Sequence, residues 1–362
     1  MTRFRIIRIA APAAVALALL LGGCDPAGGL EPESDGTTIA FSAVSPLLRD
    51  DVMTKSTTDE FISTDPDHPD TFSVFGERVT STDEHITVFD GVTVTHHYVL
   101  SDSEPPTVLQ DYWDYESPLR YWDWLSTSDR YDFAAVSPAG HSVNEQAEGL
   151  YISTHYDYLT GAPSGGDKYD ILAATYRRRG IDNWENRYEQ VRLTFSHMGS
   201  AVGVTVLNTS QNTSVTVNYL QYKNLVVSAD AIVTLDNYGQ TILRWVNPYP
   251  DGRAVRKLAK DEPTTITHGQ EYTGEYQIMI PQDLSLYGAK LVLHYTVNGV
   301  EYDAEIPLAE IKRNDGTAIT TWEIGCKYTY TVSMRLDGGL LVTVTTTPWD
   351  EPVQGETPGI LI

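Results

Sequence analysis

Apolar and polar residues alternate at every second position in short runs along most of this chain. That period sends successive side chains to opposite faces of an extended backbone, so each run reads as a β-strand with one buried face. The clearest runs are Phe72-Ser73-Val74-Phe75-Gly76, Tyr131-Asp132-Phe133-Ala134-Ala135-Val136 and Val191-Arg192-Leu193-Thr194-Phe195-Ser196, followed by 202–207, 215–219, 291–297 and 328–334. The first of them is Thr37-Thr38-Ile39-Ala40-Phe41-Ser42. Turn signals punctuate the series. Asp90-Gly91 predicts a hairpin between 85–88 and 92–99, Asn298-Gly299 a second, and Asp337-Gly338-Gly339 a third. Long helical periodicity is missing almost everywhere, and no short internal repeat suggests a propeller or solenoid. The prediction is an all-β chain of two consecutive β-sandwich domains, 37–186 and 187–362, divided in the polar stretch 180–189.

The first residues follow another pattern. Arg3, Arg5 and Arg8 precede an apolar run at 9–21, too short to span a bilayer comfortably, and Leu21-Gly22-Gly23-Cys24 closes it. Charge, apolar run, small pair and cysteine, in that order, resemble a signal peptide (1–23) ending in the lipobox of bacterial lipoproteins. The resemblance implies a diacylglycerol thioether on Cys24. A secreted protein with a chance cysteine near its cleavage site is the alternative. Residues 24–36, rich in Gly, Pro and acid, read as the lipidated flexible tether. Acids close behind Cys24 are similar to the signal that sends lipoproteins of some anaerobes to the outer face of the outer membrane. Two or three acyl chains make a firm anchor, at about 0.8 kcal/mol for each buried methylene.

Charge excludes one class of function. The chain has 25 Lys+Arg against 49 Asp+Glu, a net charge of −24, and the leader takes away arginines but no acid. Such a chain repels nucleic acid and anionic headgroups, so no nucleic-acid partner is expected. With Cys24 consumed by lipid, Cys326 stands alone, which leaves no intramolecular disulfide and no Cys-rich zinc site. Asp65-Pro66-Asp67-His68-Pro69-Asp70 lacks the Gly turn and terminal Glu of a calcium loop. His96 and His97, adjacent on one strand, must point to opposite faces. There is no phosphate loop, dinucleotide fingerprint, His-Glu-x-x-His or nucleophile elbow. No catalytic residue, metal or cofactor is therefore assigned, and the chain is read as a non-enzyme. Arg177-Arg178-Arg179 reads as a solvated basic loop. The densest aromatic cluster is Tyr112-Trp113-Asp114-Tyr115 with Tyr121-Trp122-Asp123-Trp124. Its rings either plug the rim of a sandwich or stack on a sugar through Trp113, Trp122 or Trp124.

Taken in order, these motifs resemble the fimbrillin family, the subunits of type V pili of oral and gut anaerobes. The lipobox, the short first strand and the polar stretch behind it carry the likeness. So do Phe72-Ser73-Val74-Phe75-Gly76, the aromatic run ending at Ser137-Pro138, and Asp170-Ile171-Leu172. Further along come residues 191–198, ending in His197-Met198, then Gly325 before Tyr328-Thr329-Tyr330-Thr331-Val332, and Pro348-Trp349. The resemblance implies two transthyretin-like β-sandwiches in a structural or adhesive fimbrial subunit. That subunit would be lipid-anchored at the cell outer membrane, surface exposed, and partnered by other pilus subunits and by a host protein or glycan. It implies strand exchange as well. A protease cuts after a basic residue behind the first strand, the strand leaves, and a strand from the next subunit fills the apolar groove. Here the removable strand would be 37–42 with Ile39 and Phe41 inward, and the cut would follow Arg49 or Lys55. Arg49 has the residue type of the best-known members, whereas Lys55, in Thr54-Lys55-Ser56, has the more usual setting. An uncut subunit keeping its lipid would be an anchor. The aliphatic end Ile360, Leu361 and Ile362 either donates a strand or tucks against its own domain. A stand-alone surface lipoprotein that binds glycan is the rival reading.

Overall fold

The computed structural model describes residues 37–44, 70–100, 108–123, 128–146, 149–155, 171–180, 189–226, 228–246, 254–257, 263–274, 276–335 and 339–349. Among them the first ten strands are β1 (Phe41–Val44), β2 (Thr71–Val79), β3 (His85–Leu100), β4 (Val108–Asp114), β5 (Arg130–Ser137), β6 (Val143–Gln146), β7 (Gly149–His155), β8 (Leu172–Arg179), β9 (Val191–Thr194) and β10 (Ser196–His197). Then come β11 (Ser200–Asn208), β12 (Val215–Leu225), β13 (Ser228–Leu235), β14 (Thr241–Val246), β15 (Ala254–Lys257) and β16 (Thr264–Ile266). The last are β17 (Glu271–Thr273), β18 (Gln277–Met279), β19 (Lys290–Val297), β20 (Val300–Pro307), β21 (Cys326–Met334) and β22 (Leu340–Pro348). A 3-10 turn at Leu308–Glu310 separates β20 from β21.

The first half is organised on a six-stranded sheet, β10-β8-β5-β2-β3-β4, with apolar residues buried on both faces. One face carries Phe72, Val74, Phe133, Ala135, Leu172 and Ala174, and the parallel pair β1-β9 covers it. The opposite face carries Val136, Ile171 and Ala173, covered by a four-stranded sheet in the order β14-β13-β7-β6. Burial on both sides explains the unbroken apolar stretches Phe133-Ala134-Ala135-Val136 in β5 and Leu172-Ala173-Ala174 in β8. β13 and β14, far downstream in sequence, complete the sheet begun by β6 and β7 through antiparallel pairing of β13 with β7.

The second half is a sandwich of two five-stranded sheets. β17-β11-β21-β22, with β18 also on β11, faces β15-β12-β19-β20, with β16 also on β12. Val202, Val204 and Val206 of β11 meet Val217 and Leu220 of β12 and Leu291 and Leu293 of β19 in one core around Trp322. Chain passage between the cores runs through 197–200. His197 pairs with Leu172 in the first half, and Ser200 opens β11. Trp349, just past β22, lies face to face with His197 at 3.9 Å and ties the end of the second sandwich to this crossing.

Asn298-Gly299 forms the expected hairpin, with φ of 52° and 79°, and joins the paired residues Val297 and Val300. β21 and β22 pair antiparallel, Met334 opposite Leu340, while Asp337 and Gly338 of the expected turn lie outside the described residues. The Asp90-Gly91 hairpin does not form. β3 continues through it, with Gly91 at φ 67°. Val74 faces Val92, Gly76 faces Phe89 and Glu77 faces Thr87, so β3 twice carries one residue more than β2. A glycine at positive φ serves a bulge as readily as a turn, and here it bends one long strand.

Candidate functional site

The alternation that puts Ile39 and Phe41 on one face of the first strand also buries them. Ile39 is 0% and Phe41 1% exposed. The Phe41 ring meets four others edge-on, Phe89 at 5.2 Å, Tyr115 and Phe133 at 6.0 Å and Phe72 at 6.1 Å. Full burial of two such side chains stabilises by about 1.5–3 kcal/mol each.

Backbone contacts hold the strand at both ends. Along β1, Phe41 to Val44 pair in parallel with Val191 to Thr194, and the Val191 N–H donates to the Ala40 carbonyl at 2.8 Å. Ahead of β1, Thr38 bridges antiparallel to Tyr121. The Ile39 N–H donates to the Arg120 carbonyl at 2.8 Å, and the Trp122 N–H donates to the Thr37 carbonyl at 3.2 Å. The Tyr115 hydroxyl donates to the Ile39 carbonyl at 2.9 Å and accepts the Arg120 N–H at 3.1 Å. Arg120 is held in turn, with Nε donating to the Val88 carbonyl at 2.9 Å and Nη1 to the Pro118 carbonyl at 2.7 Å. Residues 37–44 are thus gripped by segments distant in sequence, over an aromatic floor supplied by β2, β3 and β5. The seat holds one extended strand, by its backbone groups and by two buried side chains.

A buried ionic row crosses the six-stranded sheet on its other face. Glu77 of β2, Asp132 of β5 and Arg177 of β8 stand side by side in register. Arg177 Nε and Nη2 donate to the Asp132 carboxylate at 2.6 and 2.8 Å, and Arg130 Nε donates to it at 3.2 Å. Arg177 Nη1 donates to the carbonyls of Asp236 and Asn237, both at 3.1 Å, which fixes the β13-β14 turn against the sheet. Gly239 in that turn sits at φ 84°, and a Cβ there would stand 3.0 Å from the Arg177 side chain. Burial pushes the Glu77 carboxyl above its ordinary value, against the opposing pull of His85, whose Nδ1 lies 2.8 Å away.

Arg177-Arg178-Arg179 is therefore not the solvated loop expected from sequence. It ends β8, and Arg178 is 3% exposed on the face opposite Arg177, its guanidinium 4.7 Å over the Trp122 ring. The acids and rings that absorb these charges lie on other strands, where a local reading does not reach.

The aromatic cluster is divided. Trp122 is 3% exposed, between Arg178 and the Tyr131 ring, which it meets edge-on at 4.8 Å. Trp113 is part-buried, flat against His96 at 4.3 Å and 5.0 Å from Phe72. The outward rings are Tyr112, stacked on His97, and Tyr121. His96 is buried and His97 exposed, as neighbours on one strand must be. Cys326, a free cysteine, is half-buried at the start of β21. Cys24, Arg49, Lys55, Trp124, Ile360, Leu361 and Ile362 lie outside the described residues. Among the described residues no group of three His, Cys, Asp or Glu side chains could hold a metal, and no helix is long and apolar enough to cross a membrane. Sequence reasoning found Ile39 and Phe41 but missed Tyr115 and Arg120. A hydroxyl bonded to a distant backbone carbonyl leaves no periodic trace, and the aromatic run around Tyr115 was the one available hint.

The family described as fimbrillin-like matches this sequence over residues 54–349. No curated protein matches it significantly. Among solved structures, a candidate cell adhesion protein from Bacteroides uniformis is similar at 15% identity and a TM-score of 0.49, over 87% of this chain and 99% of that one. The C-terminally truncated tip fimbrial protein Mfa3 from Porphyromonas gingivalis is similar at 11% identity and a TM-score of 0.40, over 78% and 95%. The fimbrial anchor protein Mfa2 from the same organism is similar at 11% identity and a TM-score of 0.32, over 87% and 97%.

Proposed function

This chain belongs to the fimbrillin-like family, and from that premise we propose that it is exported as a lipoprotein and joins a surface polymer by exchanging its first strand. A member of this family is a fimbrial or adhesive subunit of the cell surface and not an enzyme. One observation carries the exchange reading. The strand at 37–44 fills an apolar seat, yet its backbone partners are Tyr115, residues 120–122 and β9, and every ladder of the six-stranded sheet forms without it. Loss of the strand would leave the six-stranded sheet intact, its apolar floor open and the edge of β9 bare, a template for a strand from another subunit. A cut after Arg49 or Lys55 would release it. Ile360 and Ile362, two residues apart, have the spacing to refill the positions of Ile39 and Phe41. The lipid on Cys24 would hold the precursor at the outer membrane until then. Trp122 offers no open ring face to a sugar, so the glycan reading draws no support from it.

Cys24→Ser tests the export route. The variant is expected to lose incorporation of labelled fatty acid and to leave the membrane fraction. Retention of both the label and the membrane location would refute lipidation at this residue.

A further inference from the structure

Four parallel residue pairs do not fix where a strand stops. A slip of two residues along β9 keeps the same face inward and changes only which side chain fills which position. Hairpins set their register through a tight turn, but the partners of this strand, Tyr121 and 191–194, stand far along the chain. The register has to come from contacts at the seat.

Residues 115–122 supply them. Both backbone groups of Ile39 are used, its N–H by the Arg120 carbonyl and its carbonyl by the Tyr115 hydroxyl. The same tyrosine ring stands 6.0 Å from the Phe41 ring and 5.4 Å from Phe89, forming a wall of the neighbouring position. One side chain therefore fixes residue 39 by its tip and tests residue 41 by its ring. If the strand slipped by two, Ala43 would enter the Phe41 position and leave a void among Phe72, Phe89 and Phe133. Hydrogen bonds to backbone are blind to sequence, so a strand of any origin can make them.

Resting on the exchange reading above, we infer that 115–122 is a register clasp for whichever strand occupies the seat, with Tyr115 as its positioning residue. The strand it accepts runs parallel to β9 and presents a branched aliphatic side chain, then a large apolar one two residues later.

The test keeps the full mature chain and places a site for a sequence-specific protease within 50–56. After folding, the chain is nicked there and offered an excess of fluorescent peptide with the sequence of residues 36–45. Uptake is read by anisotropy. Nicked wild-type chain is expected to take up the peptide. Tyr115→Phe, which keeps the ring and loses the hydroxyl, is expected to bind it about tenfold more weakly. A peptide N-methylated at the Ile39 nitrogen is expected to lose at least as much on the wild-type chain, an arm that needs no variant to fold. Equal binding of the plain peptide by Tyr115→Phe and wild type, or undiminished binding of the N-methyl peptide, would overturn the clasp and leave exchange standing. No uptake of the plain peptide by fully nicked wild-type chain would overturn the exchange reading, and the clasp with it.

Discussion

Phe41→Ala is expected to destabilise the uncut chain by about 3–5 kcal/mol, read as a lower urea midpoint for unfolding of the first core. The side chain is 1% exposed, and the four rings around it belong to β2, β3, β5 and the clasp. Each of those rings is fixed by its own strand or hydrogen bonds, so the site cannot collapse to fill the space a methyl leaves. Ser42→Ala, at a part-exposed position of the same strand, is expected to change stability by no more than about 0.5 kcal/mol. Function adds a second readout. If the strand is discarded on assembly, Phe41→Ala weakens the precursor but leaves the finished polymer as resistant to denaturant as wild type. A loss under about 1 kcal/mol in the precursor would contradict the packing described for this seat.

Asp132→Ala is expected to cost about as much, 3–5 kcal/mol, for a different reason. Asp132 is 3% exposed and receives two hydrogen bonds from Arg177 and one from Arg130. Without the carboxylate, the Arg177 guanidinium is left largely buried and uncompensated, a heavier penalty than the pair's own net contribution. The double variant Asp132→Ala, Arg177→Ala is expected to be less damaged than the sum of the single changes, because the stranded charge is gone. Loss of Asp132 also frees the group that grips the β13-β14 turn. Amide exchange at Asp236 and Gly239, whose N–H groups bond within that turn, is expected to accelerate. A loss under 1 kcal/mol with unchanged exchange would show that the ionic row does not fasten the two sheets.

What could be read beforehand followed from local rules. Strand period is local, so the all-β class, the inward pair Ile39 and Phe41, and the Asn298-Gly299 hairpin were all legible. Asp90-Gly91 shows the limit of those rules, since a residue that permits positive φ marks a turn or a bulge, and only the partner strand decides which. Arg177-Arg178-Arg179 shows another. Three adjacent charges read as solvated until the acid on β5 and the Trp122 ring, more than forty residues away, come to meet them. Pairing of β13 with β7 was invisible for the same reason, because sheet edges find partners by shape in three dimensions and no turn joins them. The clasp at Tyr115 rests on one hydroxyl and one carbonyl seventy-six residues apart.

Mass spectrometry of the subunits recovered from assembled surface polymer tests the central claim most directly. The account predicts chains that begin at Asp50 or Ser56 and lack residues 37–44. Polymer built from chains that begin at Cys24 and retain Ile39 and Phe41 in every subunit would contradict it.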